Sequence, residues 1–229
     1  FCKKRETIEV GEVVVSLDFA ENYSFVVQNA IQSHHWSNSQ ATLHPYVIYY
    51  RDNETIKHEN YVVISEKVTH DSSSVHLFNF KLVEFLKEKL GVNNVKKIFY
   101  FSDGAASQYK NKYNFLNLIY HQSDFNIDAE WNFFATSHGK GACDGVGGTV
   151  KRHAYRTSIQ RDNDQPITSA KSLFEWGKSF FKNVNFGFCS QDEHDSHEAK
   201  YKSRHDQAIT IKNTRQFHFF ESVNKDSLK

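Results

Sequence analysis

Along the chain, short apolar runs rich in β-branched and aromatic residues alternate with longer segments of helical period, and each change of period marks an element. Val13-Val14-Val15-Ser16-Leu17-Asp18-Phe19 is an apolar run closing on a carboxylate, which predicts a buried strand with a polar group at its tip. Residues 24–36 mix polar and aromatic side chains and fit a short helix or an irregular excursion. Two β-rich stretches, 41–50 and 60–68, flank Arg51-Asp52-Asn53-Glu54, which reads as a hairpin turn. Val75, Phe78, Leu82, Phe85, Leu86 and Leu90 then recur at helical spacing, behind the N-capping Asp71 and ahead of Gly91, which stops the run.

Residues 95–101 predict a further strand, ended by Asp103-Gly104; residues 105–121 predict a helix with Phe115, Leu118 and Ile119 inward; residues 129–135 predict a fifth strand. Helices are expected over 149–159 and 167–181. Residues 191–206, polar and carrying His194, His197 and His205, read as a loop, and 209–222 as a strand pair. The resulting order is three strands, helix, strand, helix, strand, helix. It predicts an α/β domain, a mixed five-stranded sheet flanked by helices over 13–160, preceded by a basic linker (1–12) and followed by a helical and irregular elaboration packed on the core (161–229). No internal repeat is seen.

Composition narrows the function classes. The chain has 229 residues with 28 Lys+Arg against 27 Asp+Glu, so no global field draws it to a polyanion and any such affinity must be local. Its 20 Phe and 11 Tyr exclude wholesale disorder, and no apolar run is long enough to span a bilayer. The 3 cysteines, Cys2, Cys143 and Cys189, are too scattered for a disulfide framework and suit cytosol or nucleus. With no Met and a start at Phe1 before Lys3-Lys4-Arg5, the chain is expected to be a domain of a longer protein.

The candidate chemistry sits at strand ends, where α/β sheets assemble ligand sites. Asp18 and Asp103 each follow an apolar strand. On neighbouring strands they would meet across about 4.8 Å, a spacing at which two carboxylates need a shared proton or a hard cation such as Mg²⁺ or Mn²⁺. Each alone also reads as a turn residue. A third acid, Asp144, lies in the Gly-rich segment 138–148, where the last helix of the series begins. First strand, fourth strand and the helix after the fifth are the three places at which an RNase H-like nuclease carries its metal-binding acids.

Three strings carry a more specific likeness: Leu17-Asp18-Phe19-Ala20-Glu21-Asn22-Tyr23; Phe101-Ser102-Asp103-Gly104-Ala105-Ala106-Ser107-Gln108-Tyr109-Lys110-Asn111; and residues 138–152 with Asp144 at their centre. Over about residues 13–156, including 32–36 and 42–45, the chain resembles the catalytic core of DD(E/D) transposase-like proteins abundant in animal genomes. The resemblance implies an RNase H-like fold, two Mg²⁺ or Mn²⁺ ions held by Asp18, Asp103 and Asp144, DNA cleavage and strand transfer in the nucleus, DNA ends and target as partners, and assembly into homo-oligomers. Many relatives use Glu as third acid; Asp144 is one methylene shorter, with Glu21 and Glu130 as reserves. Two alternatives stay open: a domesticated DNA-binding or scaffold protein without catalysis, and a structure-selective or RNA-directed nuclease of the same fold.

Local charge agrees with a phosphate partner. Lys140, Lys151, Arg152 and Arg156 cluster around Asp144, and Lys110 and Lys112 follow Asp103. His138 is placed to contact a phosphate or to cap the Gly-rich turn. Trp36, Tyr109 and Trp131 are candidate stacking surfaces for flipped bases. The glycines fit neither a P-loop nor a dinucleotide fingerprint, which argues against a nucleotide cofactor, and His138 with Cys143 is too small a set for zinc.

Overall fold

A computed structural model of the chain describes residues 1–26, 39–134, 141–160, 167–224 and 227–228. The strands are β1 (Glu12–Leu17), β2 (Tyr23–Ser24), β3 (Gln40–Asp52), β4 (Thr55–Ser65), β5 (Lys97–Ser102), β6 (Asp128–Phe133), β7 (Asn185–Cys189), β8 (Phe219–Asn224) and β9 (Ser227–Leu228). The helices are α1 (Cys2–Glu6), α2 (Ser72–Leu90), α3 (Lys112–Ile119), α4 (His121–Phe125), α5 (Ala142–Gln160), α6 (Ala170–Phe180) and α7 (Gln191–Asp206).

The fold is an RNase H-like mixed α/β sheet. Its order is β7-β4-β3-β1-β5-β6-β8-β9, with β2 paired to β3, so the described sheet has nine strands where the sequence pattern predicted five. The five expected strands form its centre: β3 pairs antiparallel with β1 and β4, while β1, β5 and β6 run parallel. Alternation along β1 sends Val13, Val15 and Leu17 to one face and Val14 to the other. On the first face they meet Val75, Phe78, Leu82 and Leu86 of α2 and Phe115 and Leu118 of α3. The second face is covered by Val150 and Ala154 of α5 and Leu173 and Trp176 of α6 over β3 and β4.

The differences from expectation have local causes. Residues 1–12, expected as a linker, contain α1 and bury Ile8 against the sheet, where the Phe1 ring stands 5.2 Å from that of Phe101. The helix expected from residue 105 begins only at Lys112. Asn111 caps it by accepting from the amides of Tyr113 and Asn114, and residues 105–110 instead turn about the Ala105 carbonyl, which takes the Tyr109 amide at 2.8 Å. α5 begins earlier than predicted and draws part of the Gly-rich segment into its first turns. β7, which was not predicted, extends the sheet by pairing parallel with β4. Residues 27–38, which include Trp36, lie outside the described residues.

Residues 191–206, expected as a loop, are α7. Ser190 and Glu193 close a reciprocal capping box at its start. Its buried face is polar: His194, His197 and Tyr201. His194 Nε2 lies 2.8 Å from Ser65 Oγ, and Arg204 grips Asp124 of α4 with two bonds of 2.6 and 2.7 Å. His76 of α2 donates from Nε2 to Asp124 (3.3 Å) and so presents Nδ1 to accept from His197 Nε2 (3.0 Å). A helix with no apolar stripe is thus stitched to α2, α4 and β4 by side-chain hydrogen bonds.

Candidate metal centre

β1 and β5 are parallel neighbours in the register Ser16↔Phe101, so Asp18 and Asp103 leave the sheet side by side at its C-terminal edge. Asp18 is half-buried, and its Oδ1 accepts the Phe19 amide at 2.8 Å. Asp103 is exposed and accepts the Ala105 amide at 3.0 Å. Burial, the charge of Asp103 and then that of Asp144 push the Asp18 carboxyl up to about 7, against the pull of the Phe19 amide. Asp144 is near enough for its charge to be felt at Asp18.

The start of α5 is seated beside β1 by two residues that sequence reasoning did not use in this way. Cys143, weighed for zinc, is buried and donates its thiol to the Ser16 carbonyl at 3.2 Å; burial pushes that thiol up to about 12. Gly147 lets α5 approach, since a Cβ there would stand 3.0 Å from Ala20 Cβ. Asp144 stays exposed one residue beyond Cys143, and its Oδ2 accepts the Gly141 amide at 3.1 Å. The third acid is thus turned back onto its own helix start.

The donor set is suited to a hard cation, since its ligands are oxygens only. The cage is not closed in this arrangement. Among the described residues, no group of three or more His, Cys, Asp or Glu side chains is disposed to hold a metal ion.

Neither reserve acid completes the set. Glu21 points to solvent, 97% exposed and 3.9 Å from Lys151 Nζ. Glu130 sits within β6, where it accepts from Asn132 and faces Lys97 at 3.8 Å. Of the expected phosphate contacts, Lys151 donates to the Glu21 carbonyl at 3.2 Å, and Arg152 is exposed on the next step of α5. Lys110 follows the Asp103 turn and donates to the Phe217 carbonyl at 2.8 Å, with Lys112 at the start of α3. His138 and Lys140 lie outside the described residues.

The aromatic candidates are corrected. Tyr109 is fully buried and bonds His44 Nε2 at 3.0 Å, so it ties the Asp103 turn down onto β3; Trp131 is buried and donates to Ser102 at 2.9 Å. Neither presents a ring to a ligand. The Asp103 to Asn111 string, read from the sequence as chemistry, is in part a packing device that fixes where Asp103 stands.

Among the described residues, no helix is long and apolar enough to cross a membrane. A search of curated proteins finds none that matches the chain. A family model described as a domain of unknown function, DUF8701, matches residues 1–229, and the chain belongs to that family.

Proposed function

We propose that the chain is the core of a DD(E/D) transposase-like nuclease that cleaves DNA phosphodiesters and transfers the resulting 3′ end, acting in the nucleus. The observation that supports this reading is the parallel register that sets Asp18 and Asp103 side by side at the ends of β1 and β5. Burial first, and then the charges of Asp103 and Asp144, hold the ionisation of Asp18 back, which suits a carboxyl that would take a cation. When bound there, two Mg²⁺ or Mn²⁺ ions would supply activation of the attacking hydroxyl and neutralisation of the leaving oxygen. Asp18 and Asp103 would hold them from the rigid strand ends, and Asp144 would close the set from α5.

The surface around the acids suits a nucleic-acid backbone. Lys151 and Arg152 lie two turns along α5 from Asp144, and Lys110 and Lys112 follow Asp103. A Cβ on Gly145 or Gly148 would meet nothing within 4 Å. Each of these glycines costs about 1 kcal/mol against Ala in a helix, and the protein's own packing does not require them. A phosphate backbone lying close against α5 accounts for that cost.

A second reading, a DNA-binding scaffold without catalysis, is favoured by the bond between Asp144 and Gly141. One assay separates the two. Duplex, branched, single-stranded and RNA–DNA hybrid substrates are incubated with the chain in Mg²⁺ or Mn²⁺. Metal-dependent cleavage is expected to fall at least about a hundredfold in Asp103→Asn, since losing a ligand exceeds losing an outer-shell partner. Equal cleavage by the variant would refute the assignment, cleavage of the hybrid alone would make the chain an RNA-directed nuclease, and binding without cleavage would leave the scaffold.

A further inference from the structure

β8 runs antiparallel to β6, so its first residues lie at the same edge of the sheet as Asp103. Phe217 and Phe219 are 50% and 46% exposed there, whereas the neighbouring Phe220 is 5% exposed and packs its ring 4.2 Å from that of Phe115. Lys110 links this rim to the acids. Its Cδ lies 3.7 Å from where a Cβ on Gly104 would stand, its Nζ donates to the Phe217 carbonyl at 2.8 Å, and that ammonium is 4.8 Å from the Phe133 ring centre. Among the described residues, neither Lys110 nor Lys112 has a carboxylate within ion-pair reach.

Single exposed apolar residues need no explanation. Two phenylalanines beside a cation without a counter-charge, on the rim of an acidic mouth, form a chemically specific surface. A phenyl ring offers no hydrogen bond and no charge, so it selects only for a flat apolar partner. An intact duplex keeps its base faces stacked inside and presents phosphates, sugars and base edges, whereas an unpaired strand presents base faces and phosphates together. We infer that Phe217 and Phe219 stack on unpaired bases of a DNA strand whose phosphates Lys110 and Lys112 hold, so that the mouth takes single-stranded or frayed DNA in preference to closed duplex. The inference rests on the proposed phosphodiester chemistry for the position of the reacting bond, but the stacking is a binding property that can be measured without cleavage.

The test uses fluorescein-labelled oligothymidine and a duplex of equal length, titrated with the chain in EDTA and read by anisotropy across a salt series. Wild type is expected to bind the single strand more tightly. Phe217→Ala with Phe219→Ala is expected to weaken single-strand binding about tenfold to a hundredfold, leaving duplex binding and the salt slope unchanged. Lys110→Ala is expected to lower the salt slope by about one. Phe217→Trp, which keeps a stacking surface, is expected to retain affinity and to have its indole fluorescence quenched by oligothymidine. Circular dichroism melts establish that each variant is folded.

Equal binding of single strand and duplex by wild type would overturn the inference, as would undiminished single-strand binding by the folded double variant. If the double variant lost only self-association, seen by light scattering, the rim would belong to a second copy of the chain and the inference would fail. Cleavage insensitive to Asp103→Asn, with stacking intact, would remove the proposed chemistry and leave the DNA surface. Cleavage that needs Asp103, with no stacking, would do the reverse.

Discussion

Two polar clusters flank the same sheet, the acidic mouth at the C-terminal ends of β1 and β5 and the histidine-lined seam under α7. In the seam each charge is answered. Burial alone would raise Asp124, yet Arg204 and His76 hold it at about 2, while burial lowers His194 to about 4 and His197 to about 3, so both are neutral hydrogen-bonding groups. In the mouth the charge is unanswered: burial and the two companion acids push Asp18 up to about 7. A network of paired charges specifies structure, while a cluster of like charge is tolerated where a ligand completes it. The seam should therefore govern stability and the mouth should govern binding.

The sharpest way to break that contrast is to cut the seam. Asp124→Ala strands the Arg204 guanidinium and frees His76. It is expected to cost about 3–5 kcal/mol in urea unfolding at pH 7, and a cost below about 1 kcal/mol would show that α7 is held otherwise. The next effect comes from acid. His194 and His197 have folded values below the ordinary histidine range, so the unfolded chain takes up protons first. Stability is present above about pH 6.5 and is lost as pH falls toward 4 and 3. Each is expected to cost about 2 kcal/mol between pH 7 and pH 5, and His197→Gln should remove one proton from the slope.

The mouth should respond in the opposite sense. Asp18 is raised in the fold, so its protonated form favours folding at low pH, and that contribution is lost as pH rises through about 7. In EDTA at pH 8, Asp18→Asn is expected to stabilise the chain by about 1–2 kcal/mol after allowance for solvent screening, with no gain at pH 3.5. Destabilisation at pH 8 would mean that Asp18 is a structural residue. The smallest effects concern α5. Gly148→Ala should add about 0.5–1 kcal/mol, because its Cβ meets nothing, while Gly147→Ala should cost about 1 kcal/mol by pressing on Ala20. Equal signs for the two, read from thermal melts, would contradict the packing of α5 on β1.

The same contrast explains what the sequence could reveal. The mouth was legible because Asp18 and Asp103 end uninterrupted apolar runs, and parallel pairing of those runs sets the acids side by side. Asp144 was read as a third acid, but its bond to the Gly141 amide was not foreseen, because the Gly-rich stretch reads as a turn and the structure draws residues 142–148 into a helix. The seam was illegible for a physical reason: α7 buries histidines and a tyrosine, so hydropathy shows no helical stripe, and its partners Ser65, His76 and Asp124 are remote in sequence. β7 escaped in the same way, being a short strand completed only by a neighbour far along the chain, while the strand pair expected over 209–222 is met by β8 from Phe219 onward. Tyr109 looked like a ligand surface because an aromatic beside a candidate acid reads alike whether it faces out or in.

The most direct measurement of the central claim is calorimetric titration of Mn²⁺ into the metal-free chain at pH 7.5 and pH 5.5. Binding is expected at pH 7.5, with release of the proton held near Asp18, weaker binding at pH 5.5, and loss of both signals in Asp103→Asn. Binding that is unchanged between the two pH values and in the variant would contradict a shared cation site at the ends of β1, β5 and α5.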